Sequence, residues 1–144
     1  MEVTHKAIDP AALQRALVNP AAGGYCAFEG WVRNENDGHV VERLEYEAYE
    51  PLCLSEGAKV LAEAKALFPH LEARCVHRVG LLEIGDCAVW IGVVSAHRDE
   101  AFKACRYIID EIKVRLPVWK KEHYANGDSG WVNCDRCAQH GIAD

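Results

Sequence analysis

Hydrophobic and polar positions along the chain change period several times, and the changes mark elements. Asp9-Pro10 reads as an N-cap and first helical residue, AALQRALV continues the turn, and the helix stops before Asn19-Pro20. Ala-Ala-Gly-Gly is a loop. Tyr25 to Arg33 alternates apolar and polar residues and reads as a strand, as does Val40 to Tyr49, with Leu44, Tyr46 and Ala48 on one face and Glu45 and Glu47 on the other. The polar turn between them, Asn34 to His39, predicts that the two strands pair as a hairpin with a mobile loop. Pro51 opens a helix running to about Phe68, with Leu54, Ala58, Leu61 and Ala64 near helical spacing, and Pro69 closes it. Glu72 to Val79 is a strand, and Gly80 to Asp86 a turn region with room for a short strand at Leu81-Leu82. The nearly continuous apolar run Cys87 to Ser95 predicts a central strand. His97 to Arg115 predicts a long helix whose stripe is Phe102, Cys105, Ile109 and Ile112, with Ile108 beside it. Pro117 to Tyr124 is extended, a turn follows, and Trp131-Val132 either pairs back or packs. The order predicts a single α+β domain over residues 1–144, mostly antiparallel, with residues 133–144 as a flexible tail.

The basic residues alter this plain globular picture. The chain has 144 residues and a net charge of −6, which argues against a general nucleic-acid binder. Yet His97 to Lys121 holds seven Lys or Arg against four acids. Within that segment Lys113 and Lys120 flank Leu116-Pro117. A proline lacks an amide proton and clashes with the preceding turn, so Lys113 lies in a last helical turn and Lys120 on the extended segment that leaves it. Two ammonium groups on either side of a chain reversal can converge on one anionic ligand. Taken singly, each also reads as a surface lysine lying along Trp119.

Ser95-Ala-His97-Arg98 sits where the apolar strand meets the long helix. Unpaired amides and the helix dipole favour an anion there, although four residues alone fit a plain start with His97 capping and Arg98 solvated. Arg33 ends a strand beside the polar loop, where it either reaches a site or is merely exposed. Phe28, on the opposite face, reads as core or rim. The seven cysteines are an odd number and lie mostly inside apolar patterns, which suits reduced thiols in a cytoplasmic protein. Cys134 and Cys137, with His140 nearby, have half the spacing of a zinc site. The N-terminus MEVTHKAIDP has no secretory pattern. No GxGxxG, Walker A, HExxH or GxSxG sequence is present, which leaves nucleotide hydrolysis, Rossmann redox chemistry and zinc proteolysis with little support.

The strings GWVRNENDG, LEYEAYEPL, HRVGLLEIGD, VVSAHRDEAF and IKVRLPVWKKE, in this order and spacing, resemble the large catalytic subunit of molybdopterin synthase over roughly residues 25–133. The joint occurrence of SAHR and K-x-R-x-P-x-W-K makes the resemblance specific. It implies an α/β-hammerhead fold and a homodimer with a small ubiquitin-like subunit at each end, a heterotetramer. The small subunit's C-terminal Gly-Gly thiocarboxylate donates sulfur to cyclic pyranopterin monophosphate (precursor Z) in two transfers that build the dithiolene of molybdopterin. No metal or redox cofactor is implied for the step. The resemblance makes Lys113 and Lys120 the catalytic lysines. It assigns Arg33, His97 and Arg98 to the phosphate and pterin, leaves open which protomer supplies the His-Arg pair, and places Phe28 on the pocket wall. Family members carry an arginine a few residues after the tryptophan matching Trp131. Here the stretch reads Asn133-Cys134-Asp135-Arg136, so Arg136 is the candidate replacement after a one-residue shift. The competing reading is a non-catalytic module that binds a ubiquitin-like tail and holds zinc at its C-terminal cysteines.

Overall fold

A computed structural model describes residues 1–70, 72–127 and 129–133. The chain runs β1 (Glu2–Thr4), α1 (Pro10–Leu17), β2 (Gly24–Trp31), β3 (Glu35–Asn36), β4 (His39–Ala48), α2 (Glu50–Leu67), β5 (Glu72–Arg78), β6 (Gly80–Glu83), β7 (Cys87–Ser95), α3 (Arg98–Arg115), β8 (Val118–Tyr124) and β9 (Ser129–Asn133). These elements form two sheets. One has the order β1-β5-β7-β2; the other has the order β3-β4-β8-β9, with β6 also paired to β4. All pairs are antiparallel except β1 with β5. The class is α+β, as the pattern of elements predicts.

Local chemistry explains the boundaries. The Asp9 side chain accepts a hydrogen bond from the Ala12 amide at 3.2 Å, with Pro10 in the first turn, so α1 begins as a capped helix. β7 is apolar throughout because both its faces are covered. Val89, Ile91 and Val93 join the main core under α2 and α3, whereas Trp90 and Val94 pack with Leu17 of α1 on the other side. A bidentate contact from Arg115 to Glu63, at 2.7 and 2.9 Å, fastens α3 to α2. The Arg115 guanidinium, and then the Tyr107 hydroxyl, hold the Glu63 carboxyl down to about 2. Among the described residues, no helix is long and apolar enough to cross a membrane.

Three expectations are corrected. β2 and β4 do not pair as a hairpin: β2 lies against β7, and β4 against β6 and β8. The register of β2 shifts between Gly30 and Trp31, a bulge that turns the chain out of the first sheet before β4 begins. The polar loop forms its own tight hairpin instead. Asn36 faces His39 across Asp37 and Gly38, whose φ angles of 55° and 79° are those of a two-residue primed turn. On α2 the buried stripe is Cys53, Gly57, Val60 and Ala64, so Leu54 and Ala58 are exposed; the stripe through Ala64 begins one residue earlier than periodicity suggested. On α3 Phe102 is 63% exposed, and Ala101, Ala104 and Ile108 take the inner positions with Cys105, Ile109 and Ile112.

Candidate active site

Lys120 is the second-largest fully buried side chain of the chain's described part, at 2% exposure. β8 runs antiparallel to β4, and its inward face presents Val118, Lys120 and Glu122 opposite Ala48, Tyr46 and Leu44. The Lys120 ammonium lies 3.3 Å from Glu122 Oε1. Glu122 is in turn held by the Asn36 amide, which donates to both carboxylate oxygens at 3.0 and 2.8 Å, and by the Tyr124 hydroxyl at 2.6 Å. Burying two charges is tolerable only when the remaining lone pairs are satisfied in this way. The tight turn at Asp37-Gly38 is what brings Asn36 back over the sheet.

Arg33 shares a narrow cavity with Lys120, Glu122 and Asn36. That cavity adjoins an open cleft of about 550 Å³ walled by Trp31, Arg33, Asn34, Ile84 and Gly85. Two cations, Arg33 and Lys120, therefore line one recess, whereas Lys113, which the sequence paired with Lys120, is not among its lining residues. Lys113 occupies the last turn of α3, and its ammonium nitrogen is buried. Its charge is felt on β5 by Cys75 and His77, which share one face of that strand. Burial first, and then the Lys113 charge, hold the His77 imidazole down to about 4, while burial pushes the Cys75 thiol up to about 12. The His77 ring stands edge-on to Tyr46, centroids 5.2 Å apart. Tyr46 in turn stands opposite Lys120 in the ladder of β4 and β8.

The His97-Arg98 pair lies elsewhere. Both side chains are exposed at the start of α3, on a cleft of about 580 Å³ lined also by Gly23, Asp99 and Phe102. His97 is the N-cap by position, yet its side chain makes no capping bond, which leaves the imidazole to the cleft. The chain entering β2 passes directly beneath: a Cβ on Gly23 would stand 2.4 Å from the Ala96 carbonyl oxygen, and one on Gly24 3.2 Å from Arg98 Cα. The length of β2, roughly 25 Å at about 3.3 Å per residue, separates this cleft from Arg33. Within one chain the pair does not meet the lysines. Phe28 packs half-buried against the main core and is not on the wall of either cleft. Arg136, Cys134, Cys137 and His140 fall outside the described residues.

Glu122, Asn36, His77 and Tyr46 were missed. Glu122 was within reach of the sequence, since positions two apart on a strand share a face. His77 and Tyr46 had no local signal beyond lying in strands.

Comparison with known proteins places the chain in a family. Residues 3–115 match the family described as MoaE protein. The molybdopterin synthase catalytic subunit of Thermoplasma volcanium is 44% identical over 131 residues, 91% of this chain and 96% of that protein. The crystal structure of molybdopterin synthase from Staphylococcus aureus superposes with a TM-score of 0.86 at 36% identity, covering 91% of this chain and 95% of that one. A complex of subunits 1 and 2 of molybdopterin-converting factor from Helicobacter pylori contains a chain that matches with a TM-score of 0.72 at 25% identity, over 87% and 85% of the two chains. With the family match spanning most of its length, the chain belongs to the MoaE protein family.

Proposed function

We propose that this chain is the sulfur-transferring subunit of a molybdopterin synthase, acting in the cytoplasm on cyclic pyranopterin monophosphate with a thiocarboxylated small subunit as donor. The observation that carries the reading is the enclosed Lys120 side chain, which lines one narrow cavity together with Arg33. The substrate is a cyclic phosphate and the donor an anion, so a recess of cations in an otherwise acidic chain suits both. Lys113 is assigned to the tetrahedral oxyanion that forms as the thiocarboxylate is attacked, or to proton movement beside it. Lys120 and Arg33 hold the substrate. Such donors act most strongly where water is excluded, and the Lys120 site is nearly closed.

His97 and Arg98 are assigned to the substrate phosphate. Their distance from Arg33 in one chain supports a homodimer in which each protomer lends the pair to its neighbour's lysines. The exposed Phe102 at the rim of that cleft supplies an apolar contact for such a partner. The relatives' names and the two-subunit complex from Helicobacter pylori support docking of a small sulfur-carrier subunit.

The test is turnover of the precursor with a pre-loaded small subunit. Lys113→Ala is expected to abolish product while leaving the fold and the dimer intact. Near wild-type turnover by a folded Lys113→Ala protein would rule out the assignment.

A further inference from the structure

We propose that Asn36 is a positioning residue of this site: its amide clamps the Glu122 carboxylate and, through it, sets where the Lys120 ammonium stands in the cavity shared with Arg33. The inference rests on the sulfur-transfer reading above. Its first ground is a chain of short contacts. The Asn36 amide nitrogen donates to Glu122 Oε1 at 3.0 Å and to Oε2 at 2.8 Å, and the Lys120 ammonium lies 3.3 Å from the same Oε1. A carboxylate only accepts, so the amide nitrogen and not the amide oxygen faces Glu122, with one hydrogen for each carboxylate oxygen. The Tyr124 hydroxyl donates to Oε2 at 2.6 Å and completes the clamp; the Asn36 amide also reaches the Tyr124 oxygen at 3.5 Å.

Where Asn36 comes from supplies the second ground. β8 fixes the backbone of Lys120 and Glu122, but not their long side chains, and the ladder sets the apolar Leu44 opposite Glu122. The group that fixes the carboxylate arrives from 86 residues away in the chain. It is delivered by the shortest strand of the fold, β3, at the Asp37-Gly38 turn. Asn36 lines both the narrow cavity that holds Lys120 and the open cleft walled by Trp31 and Ile84, so it stands where the two meet. The charged and titratable groups around the carboxylate come from three elements. They are Lys120 and Tyr124 of β8, Glu35 in β3 with Arg33 just before it, and Asp37 and His39 at the turn into β4.

A lysine on a flexible four-carbon stem needs such a device. Its ammonium is a point charge with three rotatable donors, and reactive geometry tolerates little misplacement. Glu122 and a substrate anion compete for those donors. With Asn36 and Tyr124 supplying the carboxylate, Lys120 is held by Glu122 without having to satisfy it alone. Without Asn36 the buried acid has only one neutral donor left, and the ammonium is drawn toward it and away from the ligand.

Two substitutions at this position test the clamp, with the wild-type protein and loaded small subunit as the reference. Asn36→Ala is expected to lower kcat/KM for the precursor by about 10- to 100-fold. Asn36→Asp separates positioning from a merely structural role. Two carboxyl groups this close cannot both ionise freely, so they share a proton. At low pH the introduced carboxyl is protonated and donates to Glu122 as the amide did. As pH rises that proton leaves, and two anions contest one ammonium. The ratio of Asn36→Asp to wild-type kcat/KM should therefore fall by about tenfold or more between about pH 5 and about pH 8, while the ratio for Asn36→Ala stays level. Glu35, Asp37, His39 and Tyr124 are common to all three proteins, so their own titration divides out. A folded Asn36→Ala protein within about twofold of wild type overturns the proposal, as does an Asn36→Asp ratio that is level with pH. If neither variant folds, side-chain amide NMR of the wild type decides. An Asn36 amide signal that moves in Lys120→Arg, but not in Lys103→Arg, supports the proposal, and an unmoved signal overturns it. Failure of the underlying function would show differently, as absence of product from the loaded wild type, and the NMR comparison would still decide the coupling.

Discussion

Removing the Lys120 charge tests the site's energetics and its chemistry together. In Lys120→Met the stem is replaced by a side chain of similar reach, and the Glu122 carboxylate, with a side chain 4% exposed, loses its 3.3 Å cation. Asn36 and Tyr124 still donate to it, but a net charge is left buried. Breaking a buried pair from one side costs about 3–5 kcal/mol. Set against a total of about 5–15 kcal/mol, that is a large share. For a chain of this size each kcal/mol lowers Tm by roughly 2–4 °C, so a fall of roughly 6–20 °C is expected. The assay is urea unfolding followed by tryptophan fluorescence at fixed protein concentration, since assembly adds to apparent stability. Adding Glu122→Gln removes the stranded charge while keeping an acceptor for Asn36 and Tyr124, so the double variant should regain most of the loss. It should stay inactive, because the ammonium proposed to hold substrate is still missing. The reasoning fails if Lys120→Met costs less than about 1 kcal/mol and Glu122→Gln restores nothing, the behaviour of a solvated pair.

Acid should weaken the fold through His77. Its pKa is about 4 when folded against 6.5 for the ordinary group, so the unfolded chain takes up the proton first. This contribution is complete above about 6.5 and lost as pH falls toward about 4, a change of up to about 3 kcal/mol. Urea midpoints across that range measure it, and an unchanged midpoint would contradict the buried neutral imidazole. Arg98→Ala should weaken substrate binding more than docking of the small subunit, compared by calorimetry with each ligand; the reverse order would mean the assignment is backwards. Gly23→Ala places a methyl 2.4 Å from the Ala96 carbonyl and should cost about 1–3 kcal/mol. It should also weaken substrate binding by displacing the start of α3, whereas wild-type stability and affinity would show that this close approach relaxes freely.

What was legible in the sequence was what neighbouring residues decide among themselves. Asp9-Pro10 starts α1 because a carboxylate can cap the amide three residues on, and Pro117 separates α3 from β8 because its ring cannot continue the helix. The run from Cys87 to Ser95 matched β7 residue for residue, since an unbroken apolar stretch needs both faces covered. The motifs around Arg33, His97-Arg98, Lys113 and Lys120 pointed to the family that the comparisons established. Partners were another matter. Alternation in Tyr25–Arg33 and Val40–Tyr49 states that one face of each strand is buried, not which strand lies beside it, and the bulge after Gly30 sent the two into different sheets. Phe102 fits the stripe of α3 by spacing and still faces outward, because the sheet beneath α3 fixes which residues turn inward. Lys120 read equally as a surface lysine until β4 and β8 closed over it and supplied Glu122, Asn36 and Tyr124 as a nest for its charge. His77 stands edge-on to Tyr46 only because strands of the two sheets, β5 and β4, pack together. Caps, turns and alternation are short-range and written locally, whereas the burial of a charge and the meeting of two side chains depend on which distant segments pack, and only the folded chain decides that.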